Sequence, residues 1–118
     1  MKSYNTILLK KKAGIGYLTL NRPEVRNAFN QEMIDELRDA LRIVDRDQEI
    51  SVLIITGSGK AFQAGADIAE LSVMTPMEIL RWNEGIVRIN ADLEKLRQPV
   101  IAAINGAAMG GGLELAIS

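Results

Sequence analysis

The sequence contains no cysteine and no histidine. The first absence excludes disulfides and thiolate metal sites. The second excludes imidazole metal ligands, Ser-His-Asp triads and histidine acid–base chemistry. Proton transfer therefore falls to Asp, Glu, Lys or Tyr. Charge of one sign is lacking too: 14 Lys and Arg stand against 15 Asp and Glu, a formal net charge of −1. That balance argues against a protein built to hold nucleic acid or an acidic membrane through its overall charge. Long apolar runs are also missing. Lys10-Lys11-Lys12 cuts off Ile7-Leu8-Leu9 well short of a signal-peptide core. The uncharged stretch from Gln98 to Leu113 carries Pro99, Asn105 and four glycines, so it does not read as a membrane span. With no targeting segment visible, a cytoplasmic, reducing location is the default.

What is present is ordinary globular material: 118 residues, 47% hydrophobic and 25% charged. That length fits one domain. Ile7 to Lys11 and Ile15 to Leu20 are rich in β-formers around Ala13-Gly14, which predicts a hairpin closed by Asn21-Arg22-Pro23. From Asn30 the period changes: Met33, Ile34, Leu37, Leu41 and Val44 recur at three and four. An amphipathic helix capped by Asn30 and reaching about Asp47 follows. Val52 to Ile55 is an unbroken apolar run, expected as a strand buried on both faces. Thr75-Pro76-Met77-Glu78 combines a capping box with a first-turn proline. The helix it opens carries Ile79, Ile86, Ile89, Leu93 and Leu96 on one face and ends at Gln98-Pro99. Val100 to Ile104 reads as a further buried strand. Strands alternating with helices give an α/β class.

A strand, a glycine-bearing loop and a helix start recur, at Val52 to Asp67 and again at Val100 to Leu115. The apolar segment after Gly112 ends at Ser118 after a few residues, shorter than a stable isolated helix. It reads as an incomplete domain over residues 1–118, cut in mid-helix.

Several segments could carry chemistry. Gly57-Ser58-Gly59-Lys60 fails as a P-loop, because Ile54 and Ala61 occupy positions where that motif needs Gly and Ser or Thr. Phe62 stands where a dinucleotide fingerprint needs its third glycine. A flexible surface turn with a solvated lysine is the plainer reading. Gly110-Gly111-Gly112 before an apolar segment demands unusual dihedrals or a close approach. Tight packing and a backbone N–H aimed at developing negative charge explain it about equally. Ala64-Gly65-Ala66-Asp67 offers a second such N–H, with Asp67 as a first-turn helix carboxylate favoured by the helix dipole. Two such loops could set two N–H donors around one oxygen. Glu114 is the one ionisable residue between Gln98 and Ser118 and shares a helical face with Gly111. It is either a solvated residue or a carboxylate kept in apolar surroundings for function.

The residues Leu20-Asn21-Arg22-Pro23 with Arg26-Asn27-Ala28, then Ala61 to Ile68, then Ala103 to Gly106 with Met109 to Ala116, resemble the enoyl-CoA hydratase/isomerase (crotonase) family. The resemblance runs in order across nearly the whole chain. It implies the N-terminal half of a crotonase-like spiral of ββα turns, binding an acyl-CoA thioester between its two glycine-bearing loops. By the same resemblance, the N–H groups of Ala66 and Gly111 form an oxyanion hole. Arg26 and Ala28 touch the CoA moiety, with Arg26 near phosphate, a chemistry that suits arginine. Ala64, Gly65, Ala66, Asp67 and Ile68 line the adenine and pantetheine region. Glu114 matches one of two hydratase glutamates and would hold the attacking water.

The implied reaction is hydration of a 2-enoyl-CoA in fatty-acid β-oxidation. No metal or redox cofactor enters, coenzyme A being part of the substrate. A Δ3,Δ2-enoyl-CoA isomerase and a non-catalytic acyl-CoA-binding remnant are the alternatives. The resemblance sets the second glutamate, and the helices that form homotrimers or hexamers, beyond Ser118. It therefore implies weak or no activity for these residues alone.

Overall fold

The structure is a computed structural model that describes residues 2–63 and 65–108. Its first unit is a hairpin of β1 (Ile7–Lys12) and β2 (Ile15–Leu20) followed by helix α1 (Gln31–Arg46). The second is β3 (Val52–Gly57), β4 (Ala61–Gln63), the short α2 (Ile68–Leu71) and the long α3 (Pro76–Lys95). A third opens with β5 (Val100–Ala102) and β6 (Ala107–Ala108). The ββα repetition implied by the resemblance is thus the observed order.

The main sheet runs β1-β2-β3-β5, with β1 antiparallel to β2 and the rest parallel. β4 and β6 pair separately and in parallel. The register explains what is buried. Leu9, Leu18, Ile55 and Ala102 form one cross-strand row that faces the helices, and Ile7 with Leu20 forms the next. The neighbouring row of Tyr17, Ile54 and Ile101 points to the opposite face, where Ile101 is 53% exposed. Val52 to Ile55 is therefore not buried on both faces. Leu53 and Ile55 are buried and alternate with half-buried Val52 and Ile54, because α1 and α3 cover one side only. Likewise Val100 to Ile104 is not a buried strand. Its paired part ends at Ala102, at the edge of the described sheet.

The helix signals hold at residue level. The Asn30 side chain accepts from Met33 N–H, and α1 buries Met33, Ile34, Leu37, Ala40, Leu41 and Val44 along one stripe. Thr75 and Glu78 form the full capping box of α3. On α3 the buried stripe is Ile86, Ile89 and Leu93, with Leu96 packed beside it, whereas Ile79 is 41% exposed. The reason lies at Gly85. A Cβ there would come within 2.5 Å of Ile34 Cγ2, so its absence lets α3 close onto α1. Residues ahead of that contact, Met77, Ile79 and Leu80, are exposed. Among the described residues no helix is long and apolar enough to cross a membrane.

Candidate active site

The loops at one end of the strands are held together by amide side chains. Asn27 is fully buried, and its Nδ2 donates to the carbonyls of Ser58 (3.0 Å), Ala61 (3.0 Å) and Phe62 (3.2 Å). Its Oδ1 accepts from Arg22 N–H at 2.7 Å. Asn27 and the preceding Arg26 both have left-handed backbones, with φ of 60° and 56°. Asparagine tolerates that region better than other side-chain-bearing residues, since its short polar group bonds locally. Asn105 reaches in from the third unit. It accepts from Gly57 N–H (3.2 Å) and donates to the carbonyls of Gly59 and Ala61. The Gly57 to Lys60 turn is therefore an anchored element, not the flexible turn expected, although Lys60 itself is solvent-exposed. Gly57 is obligatory: a Cβ would collide with the Phe62 and Ala61 carbonyls.

The third amide, Gln63, closes the turn that follows β4. Its Oε1 accepts from Gly65 N–H at 2.8 Å, and its Nε2 donates to Gly65 C=O (2.8 Å) and Asn27 C=O (3.0 Å). Gly65 has φ of +96°, which L side chains rarely adopt. One isolated parallel bridge joins the two halves of the site, Phe29 to Ala66. Phe29 N–H donates to Gly65 C=O (2.7 Å) and Asp67 N–H donates to Phe29 C=O (2.9 Å). A parallel bridge that uses the groups flanking Ala66 turns Ala66's own N–H away from Phe29. Among the described residues that N–H has no hydrogen-bond acceptor.

An ion pair ties the same segments. Arg22 Nη2 meets Asp67 Oδ2 at 2.9 Å, and Nη1 donates to Ala28 C=O at 2.6 Å. Both partners are largely enclosed, at 15% and 14% side-chain exposure. Burial pushes the Asp67 carboxyl up. Arg22 and the N–H groups of Glu70 and Ala69 outweigh it and hold the carboxyl below its usual range. Asp67 is the N-cap of α2, accepting from Glu70 N–H, rather than a residue within its first turn.

The predicted site residues separate into three sets. Ala28, Ala66 and Asp67 are brought together by the Phe29 bridge and by Arg22. Arg26 and Ile68 flank them and are exposed, Ile68 at 77%. Ala64, Gly111 and Glu114 lie outside the described residues. Sequence reasoning gave no site role to Arg22, Asn27, Gln63 or Asn105, although all four sit in the segments that carried the family resemblance. For Gln63 and Asn105 the available signal was chemical: each is an amide within two residues of a glycine, Gly65 or Gly106, where carbonyls have no ladder partner.

Comparison with known proteins bears directly on these loops. The family profile described as enoyl-CoA hydratase/isomerase matches residues 10–118, which includes every segment just described. The chain belongs to this family. It is 41% identical over 116 residues to a crotonyl-CoA hydratase of Syntrophomonas wolfei, covering 98% of this chain and 45% of that protein. It is 38% identical over 115 residues to a short-chain-enoyl-CoA hydratase of Clostridium acetobutylicum, covering 97% and 44%. The crystal structure of an enoyl-CoA hydratase from Bacillus anthracis superposes with a TM-score of 0.92 at 35% identity, covering 96% of this chain and 45% of that one. The fold is the crotonase fold. The chain spans less than half the length of these relatives.

Proposed function

We propose that the protein acts as an enoyl-CoA hydratase, adding water across the C2=C3 bond of a 2-enoyl-CoA thioester. The hydroxyl goes to C3 and the proton to C2, and negative charge gathers on the thioester oxygen between those events. The observation that carries this reading is the Ala66 N–H, turned out of the Phe29 bridge by hydrogen bonds on either side of it. A fixed amide that binds an oxygen more strongly as it becomes anionic lowers the barrier without reorganising. Hydratases at about 40% identity support the choice of reaction within the family. Gly111 N–H is assigned as the second donor and Glu114 as the group that holds the water. Arg26, exposed two residues before the buried Ala28, is assigned to a CoA phosphate. Hydration written this way uses coenzyme A as part of the substrate and requires no resident cofactor. The same proposal holds that residues 1–118 by themselves turn over weakly or not at all.

The test is turnover of crotonyl-CoA, followed by loss of the enoyl-thioester ultraviolet absorbance, in the protein as its gene encodes it. Gly111→Pro removes one N–H and is expected to lower kcat by at least about 100-fold, the usual cost of one oxyanion donor. Asp67→Asn, which leaves both donors in place, is expected to cost far less. Near-native rates in a folded Gly111→Pro protein would overturn the assignment of that donor. Full hydratase turnover by the 118-residue chain would overturn the proposal about the chain alone.

A further inference from the structure

We infer that Gln63 is a positioning residue for the reaction, acting through the Gly65–Ala66 peptide. The inference rests on the reading of Ala66 N–H as an oxyanion donor and names what aims it. The chain contains no cis peptide bond among its described residues. In a trans peptide the Gly65 C=O and the Ala66 N–H belong to one plane and point in opposite directions. Whatever fixes that carbonyl therefore fixes the donor. Two groups do so: Phe29 N–H at 2.7 Å and Gln63 Nε2 at 2.8 Å. Phe29 is a backbone contact that holds the carbonyl from one side. Gln63 supplies the second, and its Oε1 simultaneously grips Gly65 N–H at 2.8 Å. One side chain thus clamps both polar groups of Gly65 while that residue sits at φ +96°.

The clamp also has an electronic consequence. Hydrogen bonds donated to an amide carbonyl polarise the peptide and strengthen its N–H as a donor. Gln63 is fully buried, so no water competes for these bonds. Its remaining Nε2 contact, to Asn27 C=O at 3.0 Å, links the clamp to the amide hub and fixes its rotamer. A glutamine serving only to fill space would not need two bonds converging on one glycine and a third on Asn27 C=O. A bland core position would take an apolar residue at lower desolvation cost.

The experiment uses the protein as its gene encodes it, with butyryl-CoA as an unreactive saturated thioester and crotonyl-CoA as substrate. Infrared difference spectra report the thioester C=O stretch, which falls when the oxyanion donors polarise the carbonyl. In Gln63→Met, of similar size but without donor or acceptor, the stretch is expected to move back toward its value in water. Expected kinetics are a kcat lower by about 10- to 100-fold with KM changed only a few-fold. In Gln63→Glu a neutral carboxylic acid can accept from Gly65 N–H and donate to Gly65 C=O, whereas the ionised form cannot donate. Activity in that variant is therefore expected to recover as pH falls, relative to the unsubstituted protein.

An unchanged C=O stretch and unchanged kcat in folded Gln63→Met would overturn the inference. So would a flat relative pH profile in Gln63→Glu, which decides the matter should Gln63→Met not fold. A purely structural role would lower the unfolding temperature and leave the bound thioester's spectrum alone. If the unsubstituted protein itself does not polarise bound butyryl-CoA, it is the hydratase reading that fails. The two failures are thereby separated.

Discussion

The helix–sheet layer and the loop cluster are stabilised by different physics. In the layer, Leu37 and Leu41 of α1 and Ile86 and Ile89 of α3 share one buried apolar cluster with Leu9, Leu18 and Ile55 of the sheet. Such contacts are non-directional, scale with area removed from water, and tolerate replacement by other apolar groups of similar volume. In the cluster, Asn27, Gln63 and Asn105 hold backbone carbonyls and N–H groups by bonds that fail when misaligned. Arg26, Asn27, Gly59 and Gly65, all with positive φ, are in the cluster, while the other two such residues among those described, Ala13 and Gly14, make the β1–β2 turn. Burial sets where layers sit. Directional bonds set where one N–H points, and a reaction that depends on an amide needs the second kind of control.

The largest expected effect comes from cutting the hub. Asn27→Ala leaves the Ser58 and Phe62 carbonyls and the Arg22 N–H without a side-chain partner, takes one of two from Ala61 C=O, and puts alanine at φ 60°. Summing unsatisfied buried groups and left-handed strain gives a loss of about 3–5 kcal/mol in unfolding free energy. A urea titration showing a loss below about 1 kcal/mol would mean that the cluster does not depend on its amide bonds. The contrasting cut is Leu37→Ala in the layer, where Leu37 is 1% exposed. Loss of transfer free energy plus a cavity is expected to cost about 3 kcal/mol. Unlike Asn27→Ala, it should leave the thioester C=O stretch of bound butyryl-CoA close to its unsubstituted value. Equal spectral changes in both variants would erase the distinction.

Gly85→Ala sharpens the layer side of the comparison. Alanine gains about 1 kcal/mol of helix propensity over glycine. Its Cβ, however, meets the γ2 methyl of Ile34, a branched side chain with little freedom to move aside. Overpacking is expected to win, with a net loss of about 1–2 kcal/mol. Ile34→Val, which keeps that γ2 methyl, should cost the same with or without Gly85→Ala, whereas Ile34→Ala should cost less in the Gly85→Ala protein than alone. A stabilising Gly85→Ala would show that α1 and α3 are not in close contact at that point.

How much of this could be read in the sequence follows from the same division. Both long helices and the hairpin were legible because periodic apolar residues and caps such as Asn30 and Thr75-Pro76-Met77-Glu78 are local signals. The one-sided burial of β3 was not, since Val52 to Ile55 is apolar at every position and cannot say which face the helices will cover. Ile79 misled for a related reason: it keeps the helical period, but its burial depends on how far α1 reaches. Ala66 and Asp67, singled out through glycine-bearing turn chemistry and the family resemblance, are brought together with Ala28 in the structure. The roles of Gln63 and Asn27 were not legible, because an amide has no periodicity: Asn27 bonds Ser58 31 residues on, Gln63 bonds Asn27 36 residues back, and the two-residue reach from Gln63 to Gly65 leaves no pattern of its own. Only three-dimensional proximity turns such residues from turn formers into clamps.

The smallest effect tests whether charge belongs on the loop side of the comparison at all. Asp67 is ionised next to Arg22, and its carboxyl titrates below the usual range in the folded chain. A depressed folded value means that the unfolded chain binds a proton more readily, so protonation favours unfolding. The stabilisation is complete above the unfolded carboxylate value of about 3.9 and drains away as pH falls through the lower folded value. Asp67→Asn keeps an N-cap acceptor for Glu70 N–H but removes the charge opposite Arg22. Its expected cost near neutral pH is about 1 kcal/mol, the worth of one charge-assisted contact in a site that still admits some water. Denaturation midpoints of the two proteins should converge in acid as the unsubstituted carboxyl takes up its proton. A gap that stays constant from neutral pH down to strongly acid conditions would mean that Asp67 contributes only as a cap. Arg22 would then hold the loop through Ala28 C=O alone, and the cluster would be a purely neutral hydrogen-bond lattice.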